Sequence, residues 1–129
     1  MAKEERKIGL KNGTFYPCPE KHVCVSTQSS PDNKRHFIEP ISYEGSKQEA
    51  KEKILDIVKS MKRTEIVDQG ENYIHCTFTS MIFRFVDDVE FLIDDNSKLI
   101  HFKSQSRIGG YDWNANRKRM EKIRTLYHS

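Results

Sequence analysis

The chain has 129 residues, of which 36% are hydrophobic and 32% charged, with a formal net charge of +3. That is the length of one domain with enough apolar residues for a core, and no run approaches the roughly 18 apolar residues of a membrane span. Membrane-spanning, fibrous, repeat and disulfide-scaffold classes are thereby excluded, and so small a charge does not by itself argue for nucleic acid.

Met1–Lys7 lacks the apolar stretch of a secretory signal, so a cytoplasmic location is expected. Up to Tyr43 no period is sustained, and Pro17, Pro19, Pro31 and Pro40 punctuate the segment. Residues 1–43 are therefore expected to form an irregular, proline-rich arm, anchored by Phe15, Tyr16, Val23, Val25, Phe37 and Ile38 on a core of residues 44–129. The whole of 1–129 is expected to be one domain. Within the arm lie Cys18, Cys24 and Ser26, and a third cysteine, Cys76, follows far along the chain. An odd count without an export signal favours reduced thiols, although a Cys18–Cys24 disulfide is sterically possible. A metal site could recruit Cys18, His22 and Cys24 with Cys76 or His75, but the spacing departs from a Cys-x-x-Cys knuckle, and no metal or cofactor is expected.

A helix is predicted from Ser46, where Glu49 completes a capping box and Ala50, Ile54, Ile57, Val58 and Met61 share one face. The period then falls to two. A short strand covers Glu65 to Asp68. In the next, Cys76, Phe78, Ser80 and Ile82 face one way, and Tyr73, His75, Thr77 and Thr79 the other. In the third strand Val89, Phe91 and Ile93 oppose Asp88, Glu90 and Leu92; in the fourth Ile100 and Phe102 oppose Leu99, His101 and Lys103. A loop at Asn96-Ser97 pairs Ile93 with Ile100 and Phe91 with Phe102, keeping the apolar faces together, which a one-residue slip would not. The same register sets Asp87 opposite Ser106 on the core face. A second helix is predicted after Gly109-Gly110, with Asp112 as N-cap and a stripe of Trp113, Met120, Ile123 and Tyr127 that Asn116 interrupts. The fold class expected is thus α+β: a four-stranded antiparallel β-meander covered by two helices on one face.

Acidic residues gather in the third strand and basic ones in the last helix, so a helix crossing the sheet brings opposite charges together. The candidate site is Arg84, Asp87, Asp88, Ser104, Ser106, Arg107, Asn116 and Arg117. Arginines can hold a carboxylate or phosphate through paired hydrogen bonds, and an aspartate can orient them or act as a base. The bland alternative is a buried salt-bridge network that fixes the helix to the sheet without a ligand. Nucleic-acid binding through Arg117-Lys118-Arg119 is disfavoured, because the nearby Trp113 is better used in the core. Nucleophilic catalysis finds no strand–turn–helix elbow around Ser26 or Cys24.

Three stretches, Cys18–Ser26, Phe83–Phe91 and Ser104–Asp112 running on to Asn116–Arg119, together resemble a family known as domain of unknown function 1499. The resemblance implies a compact domain with no established reaction or ligand. Its motif falls on Cys18, Pro19, Cys24, Val25, Ser26, Arg84, Asp87, Asp88, Ser104, Ser106, Arg107, Gly109, Asp112, Asn116 and Arg117. Where the family usually carries Asn before the second cysteine, this chain has Val23.

The function expected is a non-catalytic binding module for a small anionic or amphipathic ligand or a protein partner. The alternative is an enzyme with Asp87 or Asp88 as base and Cys24 or His22 from the arm; a polar network with no site is a further alternative. A monomer or weak homodimer is expected, any dimer contact lying on the second sheet face at Tyr73, Thr77, Leu92 and Leu99.

Overall fold

A computed structural model describes residues 7–129; the expectation drawn from Met1–Lys7 concerns residues almost wholly outside that range. In chain order the elements are β1 (Leu10–Lys11), β2 (Thr14–Phe15), β3 (Cys24–Ser26), β4 (Ile41–Ser42), α1 (Lys47–Ser60), β5 (Thr64–Gln69), β6 (Tyr73–Thr79), β7 (Val86–Asp94), β8 (Leu99–Ser106) and α2 (Ala115–Tyr127). The fold is α+β, and the main sheet has six strands, not the four expected. Strands β5 to β8 lie side by side in sequence order, all antiparallel. The segment expected as an irregular arm supplies β3 and β4, which pair in line along the outer edge of β8. Strands of two and three residues carry too short a pattern to be read as alternation.

The β7–β8 register pairs Ile93 with Ile100, Phe91 with Phe102 and Asp87 with Ser106, as the apolar pattern requires. At the start of α1 the Ser46 hydroxyl accepts from the Glu49 amide while the Glu49 carboxylate accepts from the Ser46 amide. Its buried face, Ala50, Ile54, Ile57 and Val58, meets Met120, Ile123 and Tyr127 of α2 over Ile74, Cys76, Phe78, Val89, Phe91, Ile93, Ile100 and Phe102 of the sheet. Val25, Ile38, Ile41 and Tyr43 complete the same core. Both helices therefore cover one sheet face. No helix of the described residues is long and apolar enough to cross a membrane.

Two readings of the second half fail at element ends. β6 stops at Thr79, and Ile82 lies in the following loop with 75% of its surface exposed. α2 starts at Ala115 after Trp113 and Asn114, whose backbones are left-handed at φ 57° and 63°, so Trp113 falls outside the helix and is 78% exposed instead of packing in its stripe. Asp112 still accepts from the Asn116 amide, although the N-cap position is Asn114.

The face away from the helices is covered as well. His75, Thr77, Asp88, Glu90, Leu92 and Lys103 are buried there. The Gly9 amide donates to Glu90 and the Lys103 ammonium to the Tyr16 carbonyl, which lays the chain around β1 and β2 across it. The expected homodimer face is thus largely occupied by the chain's own N-terminal segment.

Candidate functional site

Successive strand residues point to opposite faces, so adjacent Asp87 and Asp88 cannot belong to one site. The structure divides the expected constellation accordingly. On the helix face Asp87 accepts from Arg119 at 2.7 Å. Arg119 also donates to the Ser104 hydroxyl and the Asn116 side-chain oxygen, and stacks over the Phe78 ring at 4.9 Å. Asn116, fully buried, is the hub. Its oxygen accepts from Ser104 as well, and its amide nitrogen donates to the Val23 carbonyl, Ser106 and Asp112. A polar residue interrupting an apolar helical stripe is here a bracket joining α2, β8 and the chain entering β3.

On the opposite face Asp88 accepts two hydrogen bonds from Arg107, at 3.0 and 3.1 Å, and lies 2.8 Å from His75 Nε2, which donates because a carboxylate can only accept. The bond to Asp88 holds the Arg107 guanidinium above its ordinary pKa. Glu90 accepts from the Tyr73 hydroxyl and the Gly9 amide. Burial of the Tyr73 phenol, reinforced by its bond to Glu90, raises its pKa well above the usual value. Lys103, 2% exposed, sits opposite Glu90 in the register; burial lowers its pKa, with Glu90 and Asp88 pulling the other way. Glu90 and Lys103 were missed as site residues by sequence reasoning, which named Tyr73 on this face only as a dimer contact and His75 only as a possible metal ligand. The signal was present: register sets an acid directly across from a lysine, flanked by a second acid two residues away.

The remaining candidates disperse. Arg84 is exposed in the β6–β7 loop with no hydrogen bond or ion pair among the described residues. Arg117 does not meet Asp87; it donates to the carbonyls of Lys34, Arg35 and Phe37 and ties α2 to the chain between β3 and β4. Ser26 is buried, and its hydroxyl accepts from the Gln28 amide. Cys18 and Cys24 form a disulfide, in place of the reduced pair expected, with Cα atoms 5.7 Å apart. The pairing of Cys24 beside Gln105 fixes one end of that loop. Cys24 offers no thiolate, and Cys76 is buried, its thiol pushed up to about 12 by burial, and so is inert as a nucleophile. Among the described residues no group of three or more His, Cys, Asp or Glu gathers to hold a metal ion. Neither aspartate is free to act as base, since each is held by a guanidinium.

A depression borders the helix-face network at Phe78 and Arg119. A groove of about 550 Å³ runs between the end of α1, the end of β6 and the outer side of α2. Met61, Phe78 and Leu126 supply its apolar lining, Ser60, Thr79 and Ser80 its hydroxyls, and Lys62, Arg63, Arg119 and Lys122 its charge. Lys62 and Lys122 are exposed and make no ion pair among the described residues, and Arg63 spends only Nε, on the Thr79 carbonyl. No carboxylate lines it. Two other depressions, of about 570 and 440 Å³, are lined in part by Glu44 and Glu49 and by Asp94 and Asp95 respectively. The 550 Å³ groove falls in the size range of small-molecule sites, with an apolar wall and convergent polar groups.

No curated protein matches the chain. Residues 14–126 match the family of proteins of unknown function DUF1499. That span covers most of the sequence, and the chain belongs to this family.

Proposed function

We propose that this DUF1499 domain is a non-catalytic binding module, acting as one unit over residues 1–129, and that it holds a small amphipathic anion in the groove beside Arg119. The observation that carries the reading is the lining: four cations, three apolar side chains and no acid. A phosphate or carboxylate head would lie among Lys62, Arg63 and Lys122, and an alkyl tail along Met61, Phe78 and Leu126. Arg119 is fixed by Asp87, Ser104 and Asn116, so it meets a ligand already oriented, which lowers the entropy lost on binding. The buried network is then support for the site and not the site itself.

Titration calorimetry with octyl phosphate, octanol and inorganic phosphate tests this. Octyl phosphate should bind more tightly than either fragment probe, and Lys62→Glu with Lys122→Glu should weaken it by up to about thirtyfold, from two exposed charges of up to about 1 kcal/mol each. Equal affinity for octanol and octyl phosphate, or no effect of the double reversal, would refute the reading.

A further inference from the structure

The largest exposed apolar side chains are not scattered. Met81, Ile82, Phe83 and Phe85 occupy the β6–β7 loop, and Ile108, Tyr111 and Trp113 the β8–α2 loop, with exposures from 49% to 78%. The Arg107 amide donates to the Val86 carbonyl, which joins the two loops at one end of the sheet. Phe83 stacks on Phe85, and Trp113 meets Tyr111 edge to face. Each loop holds a bulky residue in the left-handed backbone region, Arg84 at φ 58° and Trp113 at φ 57°. That conformation is unfavourable for large side chains and persists only where the surroundings impose it.

We propose that this end of the molecule docks onto an anionic lipid bilayer, the two loops entering the interface. Aromatic rings with polar edges favour the headgroup level, and aliphatic tips favour the acyl boundary below it. The charge is complementary to acidic lipid. Arg84 stands exposed between Phe83 and Phe85, and Lys62 and Arg63 follow α1 at the same end, where the Thr79 amide donates to the Arg63 carbonyl. The acids in and beside the loops are turned inward: Asp87 holds Arg119, Asp88 holds Arg107 and His75, and Asp112 accepts from Asn114 and Asn116. A protein partner of ordinary composition has no comparable need of unpaired arginine among exposed Phe, Ile and Met on two loop tips. The inference goes beyond the groove reading and rests on the two apolar loops and Arg84, sharing with the groove only Lys62 and Arg63.

Trp113 is the only tryptophan, so its fluorescence reports the docking end directly. With vesicles of equal parts phosphatidylcholine and phosphatidylglycerol the emission should shift to the blue and the chain should sediment with the lipid, and pure phosphatidylcholine should give much less of both. Arg84→Gln should weaken binding to the mixed vesicles about fivefold, the share of one interfacial cation. Ile82→Ser with Phe83→Ser should abolish the blue shift while leaving the melting temperature unchanged, since both residues are exposed. No shift with mixed vesicles, or binding indifferent to the double variant, overturns the proposal. So does self-association that the double variant removes in a chain that ignores lipid, because the occupant is then a second copy.

Discussion

Replacing Asp87 and Asp88 by asparagine, one at a time, gives two different outcomes from neighbouring residues. Asp87 and Arg119 are largely buried, at 11% and 16% side-chain exposure, and meet through one charge-assisted hydrogen bond. Asn keeps an acceptor and removes the charge, so Asp87→Asn should cost about 2 kcal/mol, the range of a hydrogen bond to a charged group. That corresponds to a fall of about 8 °C in melting temperature for a domain of this size. It also frees Arg119 from the orientation that Asp87 imposes, which should weaken octyl phosphate binding about threefold, the cost of ordering one long side chain. Asp88 is 1% exposed and holds both Arg107 and His75. Breaking a buried pair costs about 3–5 kcal/mol, and because Arg107 is 34% exposed the low end applies. Asp88→Asn should therefore lose about 3 kcal/mol with no change in octyl phosphate affinity. Urea denaturation gives the stabilities and calorimetry the affinities. If Asp88→Asn altered affinity and Asp87→Asn did not, the assignment of the site to the helix face would be refuted.

Other perturbations have defined outcomes. Reduction of the Cys18–Cys24 bond, which spans a sequence separation of 6, should destabilise the fold by about 2 kcal/mol on loop entropy; unchanged melting in reductant, with Cys18→Ser as the insensitive control, would contradict the bonded pair. Lys103→Met removes the donor to the Tyr16 carbonyl and a cation from beside Glu90 and Asp88. A loss of about 3 kcal/mol and faster proteolysis near Tyr16 are expected, and full wild-type stability would contradict a neutralising role. Burial holds the His101 ring below its ordinary pKa, partly offset by Asp94, so on acidification the unfolded chain takes up that proton first. Its contribution to stability is whole above roughly pH 6.5 and is lost as pH falls through the lowered folded value. His101→Gln should flatten that acid limb in pH-dependent melting, and an unaltered limb would count against the assignment.

Much of the fold was legible where the pattern was long. The Ser46–Glu49 box, the face from Ala50 to Val58 and the β7–β8 register all follow from residue spacing and stand in the structure. Asn116 was legible too, as a polar residue out of place in its stripe, although its partners were not. What escaped the sequence depends on contacts between distant segments. Short β3 and β4 are strands because β8 offers them an edge, and that cannot be read from two or three residues. The second sheet face alternates like a solvated one and is buried only because residues around Gly9 and Tyr16 return across it. Asp87 meets Arg119, which the candidate site omitted, and not Arg117: with Asn116, Met120 and Ile123 facing the core, Arg119 flanks the stripe beside Asp87, and Arg117 reaches the carbonyls of Lys34, Arg35 and Phe37. The reduced state expected for Cys18 and Cys24 rested on cysteine count and terminus, neither of which registers two Cα atoms held 5.7 Å apart. The groove was invisible for the same reason, since its cations come from the end of α1 and from the outer side of α2.

The most direct test of the account is amide chemical-shift mapping of the labelled protein during titration with octyl phosphate. Shifts should concentrate at Met61, Lys62, Arg63, Thr79, Arg119, Lys122 and Leu126, and vanish in the Lys62→Glu, Lys122→Glu variant. Shifts centred instead on His75, Asp88 and Arg107, or none at saturating ligand, would contradict it.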